Sequence, residues 1–97
     1  MTDKVRVCRL DGRQRSKRAI LSRLASDLHF PAHFGNNLDA LNDALAIDAA
    51  GPIRIEWRIT KSATAALGAD LSSIIEAIDN AASERSDLDF ERTYADR

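Results

Sequence analysis

Two aspartates one helical turn apart, Asp39 and Asp43, are the residues best placed to do chemistry in this chain. They follow a turn at Gly35 and two asparagines, Asn36 and Asn37, either of which can cap a helix by accepting a hydrogen bond from its first turn. Neither aspartate has a Lys or Arg three or four residues away, where an ion pair would form on the helix. Such a carboxylate pair is suited to binding a cation from outside, either a metal ion or a basic protein.

The leucines of the same helix predict which way it faces. They fall within an arc of about 60°, which is typical of a stripe facing a core, and they are Leu38, Leu41 and Leu45. The aspartates lie outside this arc, and Asn42 lies at the edge between the acidic face and the leucines. Pro31 keeps the preceding segment out of the helix, which we expect to run to about Ile47. The alternative interpretation is an ordinary solvated helix face.

Catalysis and metal binding fit the sequence poorly. Two carboxylates are a weak signal for Mg²⁺, because substrate phosphates normally complete such a site. His29 and His33 have the spacing of metal ligands on a helix, but Pro31 between them makes a continuous helix improbable. The chain has neither a phosphate-binding loop nor a nucleophile motif. We therefore expect no enzyme activity, no metal and no cofactor.

Length and composition predict one domain with a modest core. The chain has 97 residues, of which 44% are hydrophobic and 30% charged. We expect a single domain over residues 1–97, with a core at about 4–91 and a tail at 92–97 that need not be ordered. The lack of a long apolar stretch or secretory signal, together with a single cysteine, favours the cytoplasm. That residue, Cys8, is expected to be a small packing residue of a first strand.

The charge is distributed unevenly along the chain. Residues 1–23 hold eight Lys and Arg against two Asp, while residues 24–97 hold six against thirteen Asp and Glu. The basic cluster Arg13, Arg15, Lys17 and Arg18 could contact nucleic acid phosphates. It is short, however, and has no aromatic residue on which a base could stack, so a solvated turn is the favoured interpretation.

The order of predicted elements is strand, helix, helix, strand, helix, helix, strand. Val5, Val7 and Leu10 suggest the first strand, and Ser16 is a plausible cap for the first helix. Ile53, Ile55, Trp57 and Ile59 alternate with polar residues and predict a strand with one buried face. Asp70 is a plausible cap for the helix that carries Leu71, Ile74, Ile75 and Ile78, and a last strand begins at Leu88 and alternates through Phe90. Helical crossovers between strands imply an α/β fold, a three-stranded parallel sheet packed with about four helices.

Two motifs of this chain resemble the barstar family of intracellular ribonuclease inhibitors. Residues 31–45 are similar to the family's Pro, Gly, Asn-Leu-Asp-Ala-Leu and Asp segment, and residues 52–58 are similar to its strand ending in Glu-Trp-Arg. The resemblance covers about residues 4–91 and implies the family's fold. It also implies a monomeric protein that blocks a barnase-like ribonuclease with this helix, in an immunity or antitoxin role, with Asp43 in the phosphate-binding site and Asp39 as a second acidic contact.

Three positions depart from the family's pattern. His33 replaces a tyrosine before the turn, Asn42 replaces a tryptophan of the helix, and Asn80 lies near a glutamate of a later helix. The expected partner-binding residues are therefore His33, Gly35, Asn36, Asn37, Asp39, Asn42, Asp43 and Asn80. Because aromatic anchors often dominate interfaces, these departures suggest a different cognate nuclease or a weaker complex. The alternative is a module of the same fold that binds a basic partner other than a nuclease.

Overall fold

The chain folds into a three-stranded sheet covered by helices. A computed structural model describes residues 5–31, 34–35 and 37–95. The strands are β1 (Arg6–Leu10), β2 (Ile53–Ile59) and β3 (Leu88–Tyr94), all parallel in the order β1-β2-β3. The helices are α1 (Lys17–Asp27), α2 (Leu38–Asp43) with a wider π-helical turn after it (Ala44–Asp48), α3 (Lys61–Leu67) and α4 (Ala69–Glu84). The predicted small α/β fold is confirmed.

One face of the central strand β2 lies in the hydrophobic core. Ile53, Ile55, Trp57 and Ile59 are each at most 1% exposed, while the residues between them are partly or fully exposed. In the sheet, Ile55 lies between Cys8 of β1 and Phe90 of β3. The predicted alternation of β2 is therefore confirmed, and it sets which face of the sheet the helices cover.

The first strand begins at Arg6, one residue after the first valine of its predicted pattern. Val5 precedes the strand and is 50% exposed, and Val7 is only partly buried. Cys8 and Leu10 are the buried residues, because the parallel register places them opposite Ile55 and Trp57 on the apolar face. The packing role predicted for Cys8 is confirmed. Its burial raises the pKa of the thiol to about 12, and the negative charge of Asp27 acts in the same direction.

The second face of the sheet is polar and held by arginines. Arg54 forms ion pairs with Glu56 at 2.5 Å, Asp89 at 2.7 Å and Glu91 at 2.6 Å, and Arg9 pairs with Glu56 at 2.9 Å. The hydrogen bonds from Arg54 and Arg9 lower the pKa of Glu56. The carboxylates Glu56, Asp89 and Glu91 of this face are thus paired within the face.

The first helix begins where the sequence predicts it. The Ser16 side chain accepts a hydrogen bond of 3.0 Å from the Ala19 amide, so Ser16 is the cap. The predicted inward residues Ile20, Leu21, Leu24 and Leu28 are fully buried.

The predicted cap of the longest helix is wrong. Asp70 lies within the first turn of α4, and Gly68 is the cap, without any side-chain hydrogen bond. The reason is that α3 ends at Leu67, so Gly68 alone joins the two helices, at a φ of +56° that glycine adopts without strain. The Asp70 carboxylate still stabilises α4, because a negative charge near the N-terminus interacts favourably with the helix dipole.

The last strand extends past residue 91, into the residues that were expected to form a tail. It continues to Tyr94, and Ala95 donates a backbone hydrogen bond of 2.9 Å to the Ile59 carbonyl. Backbone pairing with β2 holds this polar, exposed end in the sheet. In the part of the chain that the structure describes, no helix is long and apolar enough to cross a membrane.

Candidate functional site

The start of α2 is held by its own polar residues. The Asn37 side-chain oxygen accepts a hydrogen bond of 2.8 Å from the Ala40 amide, and its side-chain nitrogen donates one of 3.4 Å to the Gly35 carbonyl. A side chain at Gly35 would place its first carbon 3.1 Å from that nitrogen, tighter than ordinary contact. Asn37 is therefore the cap, and Gly35 leaves room for it. His33 and Asn36 lie outside the described residues.

The loop before α2 rests on two aromatic rings. Phe30 and Phe34 meet edge to face, with their ring centroids 5.0 Å apart, and both pack against the core. The Phe34 amide donates a hydrogen bond of 3.0 Å to the Pro31 carbonyl, which closes the turn. Phe34 is thus held by a ring contact and by a backbone hydrogen bond.

The leucines of α2 determine where its polar side chains lie. Leu41 and Leu45 are fully buried, and Leu38 is partly buried against the core, as the stripe predicts. Asp39, Asn42 and Asp43 are exposed on the remaining surface of the helix.

Helix α4 packs beside α2 and extends this surface. Asn42 and Asn80 together line two shallow grooves between the helices, of about 330 Å³ and 200 Å³. Asp43 and Glu84 border the larger groove, and Glu76 borders the smaller one. Among the predicted residues, the structure therefore brings Asn42, Asp43 and Asn80 together, while Asp39 and Gly35 do not line either groove.

We call the exposed residues of this region the acidic surface: Asp39, Asn42, Asp43, Glu76, Asn80 and Glu84. Glu76 and Glu84 were missed by the sequence analysis. Each lies four residues from Asn80, which places all three on one side of α4, opposite the buried Ile74 and Ile78. That spacing was the signal that could have found them.

The carboxylates of the acidic surface differ from most other described carboxylates, Asp70 excepted, in having no cationic partner. Seven other described carboxylates lie within 4.0 Å of an arginine: Asp11, Asp27, Glu56, Asp79, Asp87, Asp89 and Glu91. No described Lys, Arg or His makes such a pair with Asp39, Asp43, Glu76 or Glu84. The field of these four carboxylates is consequently not neutralised within the described structure.

The end of α2 is held by an arginine from another element. After Asp43 the helix widens into the π-helical turn, in which the Ala49 amide donates a hydrogen bond of 2.7 Å to the Ala44 carbonyl. Nη1 of Arg85, just beyond α4, donates to the carbonyls of Leu45 at 2.6 Å and Ala49 at 2.8 Å. The sequence analysis missed this contact, since Arg85 lies 40 residues from Leu45 along the chain.

Arg85 is itself fixed by a carboxylate. Its Nε and Nη2 donate to the two oxygens of Asp87 at 2.8 and 2.9 Å, and this bidentate pair lowers the pKa of Asp87 and raises the pKa of Arg85. Gly51 lies so close to the pair that a side chain at this position would overlap the Asp87 carboxylate. The Asp87 carbonyl also accepts a hydrogen bond of 2.8 Å from the Ile53 amide. Arg85 therefore connects the end of α2 to the start of β2.

The basic cluster spans the connection between β1 and α1 and the first two residues of α1. Arg13, Arg15 and Arg18 are exposed there, and Arg13 lies 3.6 Å from Asp11. Within the described ranges, no three His, Cys, Asp or Glu side chains are grouped so that they could hold a metal ion.

Comparison with known protein families gives a match to nearly the whole chain. A family model described as Barstar (barnase inhibitor) matches residues 5–95, which is nearly the whole chain. No curated protein matches the sequence.

Proposed function

Because the chain belongs to the barstar (barnase inhibitor) family, whose members are inhibitors rather than enzymes, we propose that it inhibits a barnase-like ribonuclease by covering its cationic active site with the acidic surface. A ribonuclease must present cationic side chains to the phosphate of its substrate. An inhibitor with suitably spaced carboxylates imitates that charge without being cleaved. The proposal includes a single-domain, monomeric, cytoplasmic protein with an immunity or antitoxin role.

The observation that carries the proposal is the contrast in charge pairing. The polar face of the sheet binds its carboxylates to Arg54 and Arg9, whereas Asp39 and Asp43 have no cationic partner among the described residues. Carboxylates that are free in the monomer accelerate association with a cationic partner and pair with it on binding. In this proposal Asp43 and Asp39 make the central contacts.

The remaining predicted residues have supporting roles in the proposal. Asn42 and Asn80 contact the nuclease with amide groups, while Gly35 and Asn37 set the start of the helix, and His33 and Asn36 precede it in the sequence. Ile47, which is 79% exposed on the π-helical turn, offers an apolar contact at one end of the acidic surface. An interface with amides in place of aromatic rings favours a nuclease of matching polarity.

The test is stoichiometric inhibition of RNA cleavage across a panel of barnase-like ribonucleases. The wild-type chain is compared with Asp39→Ala/Asp43→Ala and with Asp89→Asn/Glu91→Gln, which removes the same charge from the polar face of the sheet. We expect one-to-one inhibition by the wild-type chain and by Asp89→Asn/Glu91→Gln. We expect Asp39→Ala/Asp43→Ala to lose this inhibition. Inhibition that both variants retain would place the interface elsewhere, and inhibition of no nuclease would favour a basic partner of another kind.

A further inference from the structure

We propose that Arg85 is a positioning residue for inhibition: it holds the end of α2 so that the acidic surface is already in its binding geometry before the nuclease arrives. This inference rests on the proposed function. Arg85 contributes no atom to the acidic surface and acts only through the backbone of α2.

The carbonyls at this end of α2 need hydrogen-bond donors. The last carbonyls of a helix have no partner within it. Neither α2 nor its π-helical turn carries a basic residue in its last turn. Leu45 and Ala49 are buried at 0% and 3% exposure, so water has little access to them. The Arg85 guanidinium supplies both of their hydrogen bonds from outside the helix.

The Arg85 side chain is held in one position. The Arg85 side chain is only 13% exposed, and its guanidinium donates four hydrogen bonds: two to the carbonyls and two to Asp87. A planar guanidinium held in this way has one orientation, whereas a flexible ammonium group does not. The carbonyl positions are thereby fixed relative to α4 and β2.

The hydrogen bonds of Arg85 affect binding through the position of Asp43. Asp43 lies two residues before Leu45 and borders the same groove as Glu84, which directly precedes Arg85. Without the hydrogen bonds from Arg85 to Leu45 and Ala49, the end of α2 would move relative to α4. This movement would separate Asp43 from Asn80. Binding would then carry the cost of ordering the helix again.

The experiment uses Arg85→Met and Arg85→Lys, with Arg92→Met as the control. Arg92 also pairs with a carboxylate, Asp79 of α4, but makes no hydrogen bond or ion pair with α2 in the described structure. Binding is measured with a ribonuclease that the wild-type chain inhibits, at a temperature where all variants are folded. We expect Arg85→Met to dissociate about tenfold faster with little change in association rate. Arg85→Lys should recover part of the loss, and Arg92→Met should match the wild type.

A double-mutant comparison separates positioning from general destabilisation. If Arg85 acts by placing Asp43, then Arg85→Met should weaken binding much less in an Asp43→Ala background than in the wild type. Additive losses would overturn the inference. Unchanged dissociation of Arg85→Met would also overturn it while leaving the proposed function intact.

Amide hydrogen exchange of the free protein tests the anchor without any nuclease. The Ala49 amide, bonded to Ala44 in the π-helical turn, should exchange faster in Arg85→Met but not in Arg92→Met. Unchanged exchange of Ala49 would show that Arg85 does not hold this turn. If the wild-type chain inhibits no ribonuclease, the proposed function fails, and the exchange of Ala49 still decides whether Arg85 fixes the end of α2.

Discussion

Asn42 of α2 and Asn80 of α4 line the same two grooves, so polar side chains of the two helices meet on one surface. Both side chains are exposed, and each carboxamide can donate and accept hydrogen bonds. They lie among Asp43, Glu76 and Glu84, whose carboxylates can only accept. The surface therefore suits a partner rich in donors, such as the Lys and Arg side chains of a phosphate-binding site.

Glu84→Gln and Glu76→Gln test whether α4 takes part in binding. Removal of either charge should slow association with a susceptible ribonuclease by about two- to threefold, because charges at the edge of an interface act mainly on the association rate. Asp70→Asn is the matched control, since Asp70 also has no cationic partner in the described structure but does not line the grooves. Stopped-flow mixing measures the rates. Equal slowing by the control would mean that net charge alone is responsible.

Salt provides a test of the electrostatic mechanism as a whole. Association should slow steeply as ionic strength rises from about 0.05 M to about 0.5 M, because ions screen the unpaired carboxylates over these distances. The dissociation rate should change less. The Asp39→Ala/Asp43→Ala variant should show a shallower dependence of the association rate on salt. A wild-type association rate that salt does not alter would indicate a mainly apolar interface.

Asn37→Ala should destabilise the protein by about 1 kcal/mol, the usual effect of losing a helix cap. The substitution removes the acceptor of the Ala40 amide at 2.8 Å. Asn37→Ser is the control, because a serine oxygen can accept the same bond. Urea unfolding followed by the fluorescence of Trp57 measures the free energy of unfolding. Equal stability of the alanine and serine variants would contradict the role of this cap.

Cys8 should be unreactive in the folded protein. Its raised pKa of about 12 and its burial keep the thiol protonated and shielded. Alkylation by iodoacetamide at about pH 9 should be at least about tenfold slower in the native state than in denaturant. Because the folded pKa exceeds the reference value of 9.0, this thiol stabilises the fold fully below about pH 9 and loses that contribution as the pH rises towards 12. Rapid native labelling would contradict the burial of Cys8.

Acid should weaken the fold through Glu56 and Asp87. The pKa of each is lowered by arginine hydrogen bonds, from reference values of 4.5 and 3.8. Each carboxylate therefore stabilises the fold above its reference value and loses that contribution as the pH falls through its lower folded value. Urea unfolding between about pH 2 and pH 7 should show this loss. The slope should flatten in Glu56→Gln/Asp87→Asn but not in Asp70→Asn.

The sequence predicted the elements whose signal is local. The alternation from Ile53 to Ile59 needs only the period of a strand, and the caps at Ser16 and Asn37 need only an amide three residues later. The prediction was wrong at Asp70, because a single glycine joins α3 to α4 and leaves that aspartate inside the helix. The proposed role of the acidic helix came from the resemblance to the family, because the spacing of residues alone left a metal ion and a basic protein as alternatives.

What could not be predicted depends on contacts between distant segments. The buried face of β1 is set by its register with β2, so Val5 and Val7 gave no guide to it. The grooves between α2 and α4 exist because those helices pack together, which brings Asn80 to Asn42. The bonds from Arg85 to Leu45 and Ala49 span 40 and 36 residues and have no pattern in the sequence.

The division between the buried leucines of α2 and its outward side chains has a consequence for protein engineering. Leu41 and Leu45 carry the packing, while Asp39, Asn42 and Asp43 make no side-chain hydrogen bond or ion pair with any other described residue. Substitutions at such exposed positions typically change stability by no more than about 0.5 kcal/mol. A combinatorial library over these three positions, Glu76, Asn80 and Glu84 would thus sample new binding specificities while the scaffold stays folded.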